Sequence, residues 1–75
     1  MRKYEVSREI YNPCAGVYIF DNNFLREVET DNIEKTITEW AGRELPKFEK
    51  NTFPDGSVEY IFDLPRKVRY TFNIV

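Results

Sequence analysis

Two runs of strict alternation near the C-terminal end constrain this chain more than anything else in it. Val58, Tyr60, Phe62 and Leu64 occupy every second position, and after Pro65-Arg66-Lys67 so do Val68, Tyr70, Phe72 and Ile74. A period of two puts one set of side chains in a core and the other in water, as in a half-buried strand. Two such runs parted by a short polar break form an antiparallel hairpin. Parity then limits the turn. Directly opposed residues share a face and both apolar sets are even-numbered, so paired positions must sum to an even number. A two-residue turn would set Leu64 against Lys67 and oppose every apolar residue with a polar one. A three-residue loop, Pro65-Arg66-Lys67, predicts Leu64 opposite Val68, Phe62 opposite Tyr70, Tyr60 opposite Phe72 and Val58 opposite Ile74.

Phe53-Pro54-Asp55-Gly56 is the strongest local signal upstream. Proline at the second turn position and glycine in the left-handed one describe a type I turn with a bulge. A three-residue loop there pairs Phe53 with Ser57 and sets Phe48 opposite Phe62, on the same face as the last hairpin. Leu45-Pro46 leads into the strand this implies, which runs through Phe53; it is polar and begun by Pro46, which fits a sheet edge. Further upstream, Ile33, Ile37, Trp40 and Ala41 recur at helical spacing. Asp31 is the expected N-cap with Glu34 completing a capping box, and Gly42 the residue that ends the helix. Trp40 is expected in the core.

The first third of the chain reads as three strands. Tyr4, Val6 and Ile10 alternate with polar residues over positions 2–11, with Arg8 interrupting the apolar face. Asn12-Pro13-Cys14-Ala15-Gly16 is a turn. Val17-Tyr18-Ile19-Phe20 is apolar on both faces, Asp21-Asn22-Asn23 turns the chain, and Phe24 to Glu29 returns. The register of that return is open, because either parity leaves something apolar outside, and a helix starting at Phe24 is the competing reading. The expected fold is therefore α+β: one small domain of mostly antiparallel sheet, in the order β-β-β-α-β-β-β, with one helix on one face.

Composition narrows the function classes. A chain of 75 residues buries only about 60% of its unfolded surface, so its large aromatic residues must carry much of the core. The net charge is −2, unevenly spread: residues 21–44 hold seven acids against three bases. Histidine is absent, which removes the commonest general base and zinc ligand. Cys14 is the single cysteine, so no internal disulfide forms, and this fits a reducing compartment. Met1-Arg2-Lys3 leads into an alternating strand and not an apolar block, so a cytoplasmic location is expected.

No cofactor, metal or catalytic site is expected. Asp21, Glu27, Glu29, Asp31 and Glu34 are abundant acids on a solvated face, and Asp21-Asn22-Asn23 lacks the spacing of a calcium loop. Two binding readings stand above the enzyme reading. One is a protein-interaction module, self-association included, using the surplus apolar residues Tyr18, Phe20, Phe24 and Leu25, since one helix cannot cover both faces of a sheet. A sheet that curls into a partial barrel and covers these residues itself is the competing account. The alternative function is single-strand nucleic-acid binding through Arg66, Lys67 and Arg69 at the hairpin tip. Acidic overall charge weighs against it, as does the core parity of Tyr70 and Phe72. Arg69 is expected to pair with Asp63 across the strands.

Overall fold

The computed structural model describes residues 1–63 and 66–75. Its elements follow the order β1 (Arg2–Asn12), β2 (Val17–Thr30), α1 (Ile33–Ala41), β3 (Phe48–Thr52), β4 (Val58–Phe62) and β5 (Val68–Ile74). The strands form one antiparallel sheet of order β2-β1-β5-β4-β3. The α+β architecture with one helix on one face is therefore the expected one. Among the described residues no helix is long and apolar enough to cross a membrane.

Alternation explains the core. On β1, β4 and β5 the even-numbered residues face the helix. Val6 and Phe72 are 0% exposed and Tyr60 1%, with Tyr4, Val58 and Phe62 also buried. Phe72 sits between Val6 on one side and Val58 on the other. The three-residue loop at Pro54-Asp55-Gly56 forms as expected. The Phe53 N–H donates to the Ser57 carbonyl at 2.9 Å, Phe48 faces Phe62, and Gly56 has φ +92°.

The last hairpin differs from expectation in register. Val58 faces Phe72, Tyr60 faces Tyr70 and Phe62 faces Val68, two positions from the pairing that a three-residue loop predicts. The expected Leu64–Val68 pair and the loop residue Pro65 lie outside the described residues. The shift is even, so no side chain changes face, and alternation cannot tell the two registers apart. β1 pairs with the other edge of β5 and sets Tyr4 on Ile74, Val6 on Phe72 and Ile10 on Val68, so the observed register brings Val58, Phe72 and Val6 into one row across three strands.

The helix begins one residue later than expected. Asn32, not Asp31, is the N-cap, its Oδ1 accepting from the Lys35 N–H at 3.1 Å. Thr30, at the end of β2, accepts the Asn32 N–H through its hydroxyl at 3.0 Å and so fixes the entry. The capping box is lost with this shift, and Glu34 instead accepts from the Tyr60 hydroxyl at 3.2 Å. Gly42 closes the helix in the left-handed region, its N–H bonded to the Thr38 carbonyl. Ile37 is the buried anchor, 3% exposed, whereas Trp40 keeps 37% of its surface in solvent. Trp40 lies flat on Phe72 and edge-on to Phe24. It caps the core rather than filling it.

The strand expected from Pro46 through Phe53 is confined to Phe48–Thr52. Leu45, ahead of it, packs against the core cluster. As expected, β3 is an edge strand.

Candidate functional site

The three strands expected before the helix are two. Asp21-Asn22-Asn23 does not reverse the chain, and β2 runs as one strand of 14 residues. It pairs with β1 in two registers. Ser7 faces Leu25 but Glu9 faces Phe20, so Asp21 to Phe24 stand opposite Arg8 alone. The excess of three residues is odd, so the parity of β2 changes across it. That resolves the open register of the return: neither parity serves the whole strand, and the bulge supplies both.

Arg8 and Asp21 hold this bulge. The Arg8 Nε donates to Asp21 Oδ2 at 2.9 Å, and the Asn23 N–H donates to Oδ1 at 3.0 Å. The guanidinium, with the Asn23 N–H assisting, holds the Asp21 carboxyl below its ordinary range. Arg8 also lies over the Phe24 ring, 4.6 Å from its centroid, as does Arg26. The interruption of the apolar face at Arg8 is thus where the two registers meet.

The bulge sorts the expected partner residues. Phe24 is turned inward, 7% exposed, edge-on to Trp40 and Tyr70, and is a core residue rather than a surface one. Tyr18, Phe20 and Leu25 stand opposite Tyr11, Glu9 and Ser7. These are alternate positions of β1 on the face away from the helix, so the three form a stripe there. Phe20 and Leu25 are 51% and 59% exposed. Tyr18 is half-buried: the Tyr11 ring packs edge-on against it at 5.3 Å and the Arg69 guanidinium lies over it at 4.2 Å, and it lines an open hollow with Ile61, Glu49, Asp63 and Lys67. These contacts cover Tyr18, whereas Phe20 and Leu25 stay in water. On the helix side of the same strand end, beyond the reach of α1, Val17 and Ile19 are 53% and 49% exposed.

This strand is also a sheet edge. Its second half carries Arg26, Glu27 and Glu29, the charges that keep edges from pairing with other chains. The opposite edge, β3, carries Glu49 and Lys50. Val17 to Phe20 carries no charge at all. Val17–Phe20 is therefore a stretch of edge that is both apolar and unguarded.

The basic cluster is taken apart by the same geometry. Arg69 does not pair with Asp63. The observed register sets it opposite Ile61 on β4 and Glu9 on β1. Its guanidinium makes two hydrogen bonds of 2.9 Å to Glu9, approaches Glu59 at 3.7 Å and lies over the Tyr18 ring at 4.2 Å. Lys67 lies over the Tyr11 ring, and Arg66 is exposed beside a hollow with Ile10, Ile19 and Phe20. Sequence reasoning missed Arg8, Asp21, Tyr11 and Glu9 as the residues that shape this end of the sheet. The parity break between Tyr18/Phe20 and Leu25 was the signal that could have found the bulge.

Comparison with known proteins finds no matching family model, no matching curated protein and no matching solved structure.

Proposed function

We propose that this chain is a small non-enzymatic protein-interaction module, working in the cytoplasm, that binds through the uncharged edge Val17–Phe20 and the Phe20–Leu25 surface beside it. The observation that carries this reading is the coincidence of a free sheet edge with half-exposed apolar side chains on both of its faces. An edge of this kind offers unpaired backbone donors and acceptors to a partner strand, while side chains on alternate faces supply selectivity. Acid–base chemistry has less support, because the acids nearest the site are matched: Asp21 by Arg8, Glu9 by Arg69 and Glu27 by Lys3. Nucleic-acid binding loses support in the same way. Arg69 is spent on two carboxylates, which leaves Arg66 and Lys67 of the expected cluster.

The test is site-specific photo-crosslinking in the cells that make the protein. A photoreactive residue at Phe20 should capture a discrete protein band, and the same residue at Lys35, on the exposed face of α1, should not. No band at either position, or equal capture at both, would sink the reading.

A further inference from the structure

Resting on that reading, we infer that the strand accepted by this edge is β2 of a second copy of the chain, antiparallel, about a two-fold axis through Ile19. A two-fold that makes neighbouring strands antiparallel stands perpendicular to the sheet and preserves its faces, so each residue must meet one of its own face. With the axis at Ile19, that residue meets its own copy on the helix side. Tyr18 meets Phe20 of the second copy on the open side, twice by symmetry. Tyr18, Ile19 and Phe20 are thus matched to one another, while Val17 meets Asp21, whose carboxylate is held by Arg8. Moving the axis to Tyr18 would pair Val17 with Ile19 but set Phe20 opposite Gly16, exchanging two aromatic pairs for smaller aliphatic ones.

Charge selects this half of the strand over the other. An axis at Arg26 opposes two arginines, one at Glu27 opposes two glutamates, and one at Val28 sets Glu27 against Glu29, all destabilising pairs. An axis at Leu25 runs into the bulge at Asp21 to Phe24. With the axis at Ile19 no like charges meet. Glu27 and Glu29 stand opposite Glu5 and Lys3, while Ile19 stands opposite Ile10. Counted along β1, they lie about 17 and 23 Å from the axis, and twice that from their copies, at roughly 3.3 Å per residue. That is far beyond the screening length of about 8 Å at physiological salt. Glu27 and Glu29 therefore do not oppose association at this end, and Asp21, the acid nearest the axis, is paired with Arg8. The paired segment is short, so the dimer belongs at the small end of specific interfaces, with a dissociation constant on the order of 0.1–1 mM.

Sedimentation equilibrium from about 10 µM to about 2 mM tests this. The apparent mass should rise from the monomer's 9.0 kDa toward twice that value. Ile19→Lys should weaken the dimer at least tenfold, and Thr52→Lys, which adds the same charge on the opposite edge strand β3, less than twofold. Both positions are exposed, and circular dichroism checks that the variants fold. A second variant fixes the register. Directly opposed antiparallel residues have Cα atoms about 4.5–5.5 Å apart, within disulfide reach. Ile19→Cys in a Cys14→Ser background should therefore oxidise to a covalent dimer, and Leu25→Cys in that background should not. A dimer indifferent to Ile19→Lys, or one that cross-links through Leu25→Cys instead, overturns the inference. A chain monomeric at every concentration overturns it too. If the Phe20 photo-crosslinker then still captures a discrete different protein, the interaction reading survives alone; if it captures nothing, both fall.

Discussion

Phe20 and Leu25 stand next to each other on the open face of the sheet although their positions have opposite parity, because they face Glu9 and Ser7, alternate residues of β1. The residues between them are absorbed opposite Arg8. Two things follow from this one irregularity. Phe24 is delivered into the core beneath Trp40, and the edge strand gains an apolar stripe that an unbroken register would have scattered over both faces.

The bulge should respond to acid through Asp21. Its carboxyl is held below the ordinary value of 3.8 by the Arg8 hydrogen bond, with help from the Asn23 N–H. A folded-state value below the unfolded one means that the ionised form favours folding. The contribution is fully present above about pH 3.8 and is lost as pH falls through the lower folded-state value. Asp21→Asn should accordingly lower the melting temperature at about pH 6 and converge with the parent toward about pH 2. A difference that stays constant over that range would show that Asp21 acts through packing and not through its charge.

Ile37 and Trp40, both on the apolar face of the helix, should behave differently. Ile37 is 3% exposed and Trp40 37%. Ile37→Ala should cost about 2–4 kcal/mol, as deletion from a closed site does, whereas Trp40→Ala should fall below the 3–5 kcal/mol usual for a buried ring. Trp40 emission in the folded state should lie between the buried and solvent-exposed extremes and move red on unfolding. Chemical denaturation followed by fluorescence and circular dichroism measures both. A larger loss for Trp40→Ala than for Ile37→Ala would mean the ring is more deeply held than its exposure indicates.

At Gly56 the backbone has φ +92°, and a Cβ would meet the tip of the Ile74 side chain and the Arg2 guanidinium. Both are ends of flexible side chains that can shift, so the backbone sets the larger part of the cost. Gly56→Val should destabilise by at least about 1 kcal/mol, and Gly56→Asn by less, since asparagine tolerates positive φ better than a β-branched residue. Equal losses for the two would assign the cost to crowding against Ile74 instead.

What the sequence revealed, and what it hid, divides along physical lines. Periodicity is local, so the alternation at Val58–Phe62 and Val68–Phe72 showed which face is core, although Ile74 at its end stays 37% exposed; the Pro54-Asp55-Gly56 turn gave the Phe48–Phe62 pairing, because a tight loop fixes register. The register of β5 against β4 was not legible, because a slip of two positions leaves every side chain on its own face. Asp21-Asn22-Asn23 has turn chemistry, and that chemistry is used. It makes a bulge rather than a reversal because Arg8 on the neighbouring strand supplies the partner for Asp21. Of the proposed partner surface, Phe20 and Leu25 were legible as surplus apolar residues. Phe24 was not, because its burial depends on which residues the bulge turns inward.

Nucleic-acid binding is the reading most open to a decisive result. Each phosphate contact releases condensed counterions, so binding through Arg66, Lys67 and Arg69 would weaken steeply with salt. Arg69 is held by Glu9 at 2.9 Å and flanked by Glu59. Turning it to a phosphate would leave two carboxylates without their cation on a face that Tyr18 and Tyr11 also occupy. The remaining two charges belong to a chain of net charge −2. We expect no salt-sensitive binding of single-stranded DNA or RNA at micromolar protein near physiological salt. Glu9→Gln with Glu59→Gln supplies the sharper control, since it frees Arg69 and lowers the negative charge together. If the basic tip is intrinsically suited to nucleic acid, that variant should gain affinity at least tenfold with a steeper salt slope. A clear titration by the parent chain, abolished when Arg66, Lys67 and Arg69 are all replaced by alanine, would make the tip a nucleic-acid site despite the carboxylates around it.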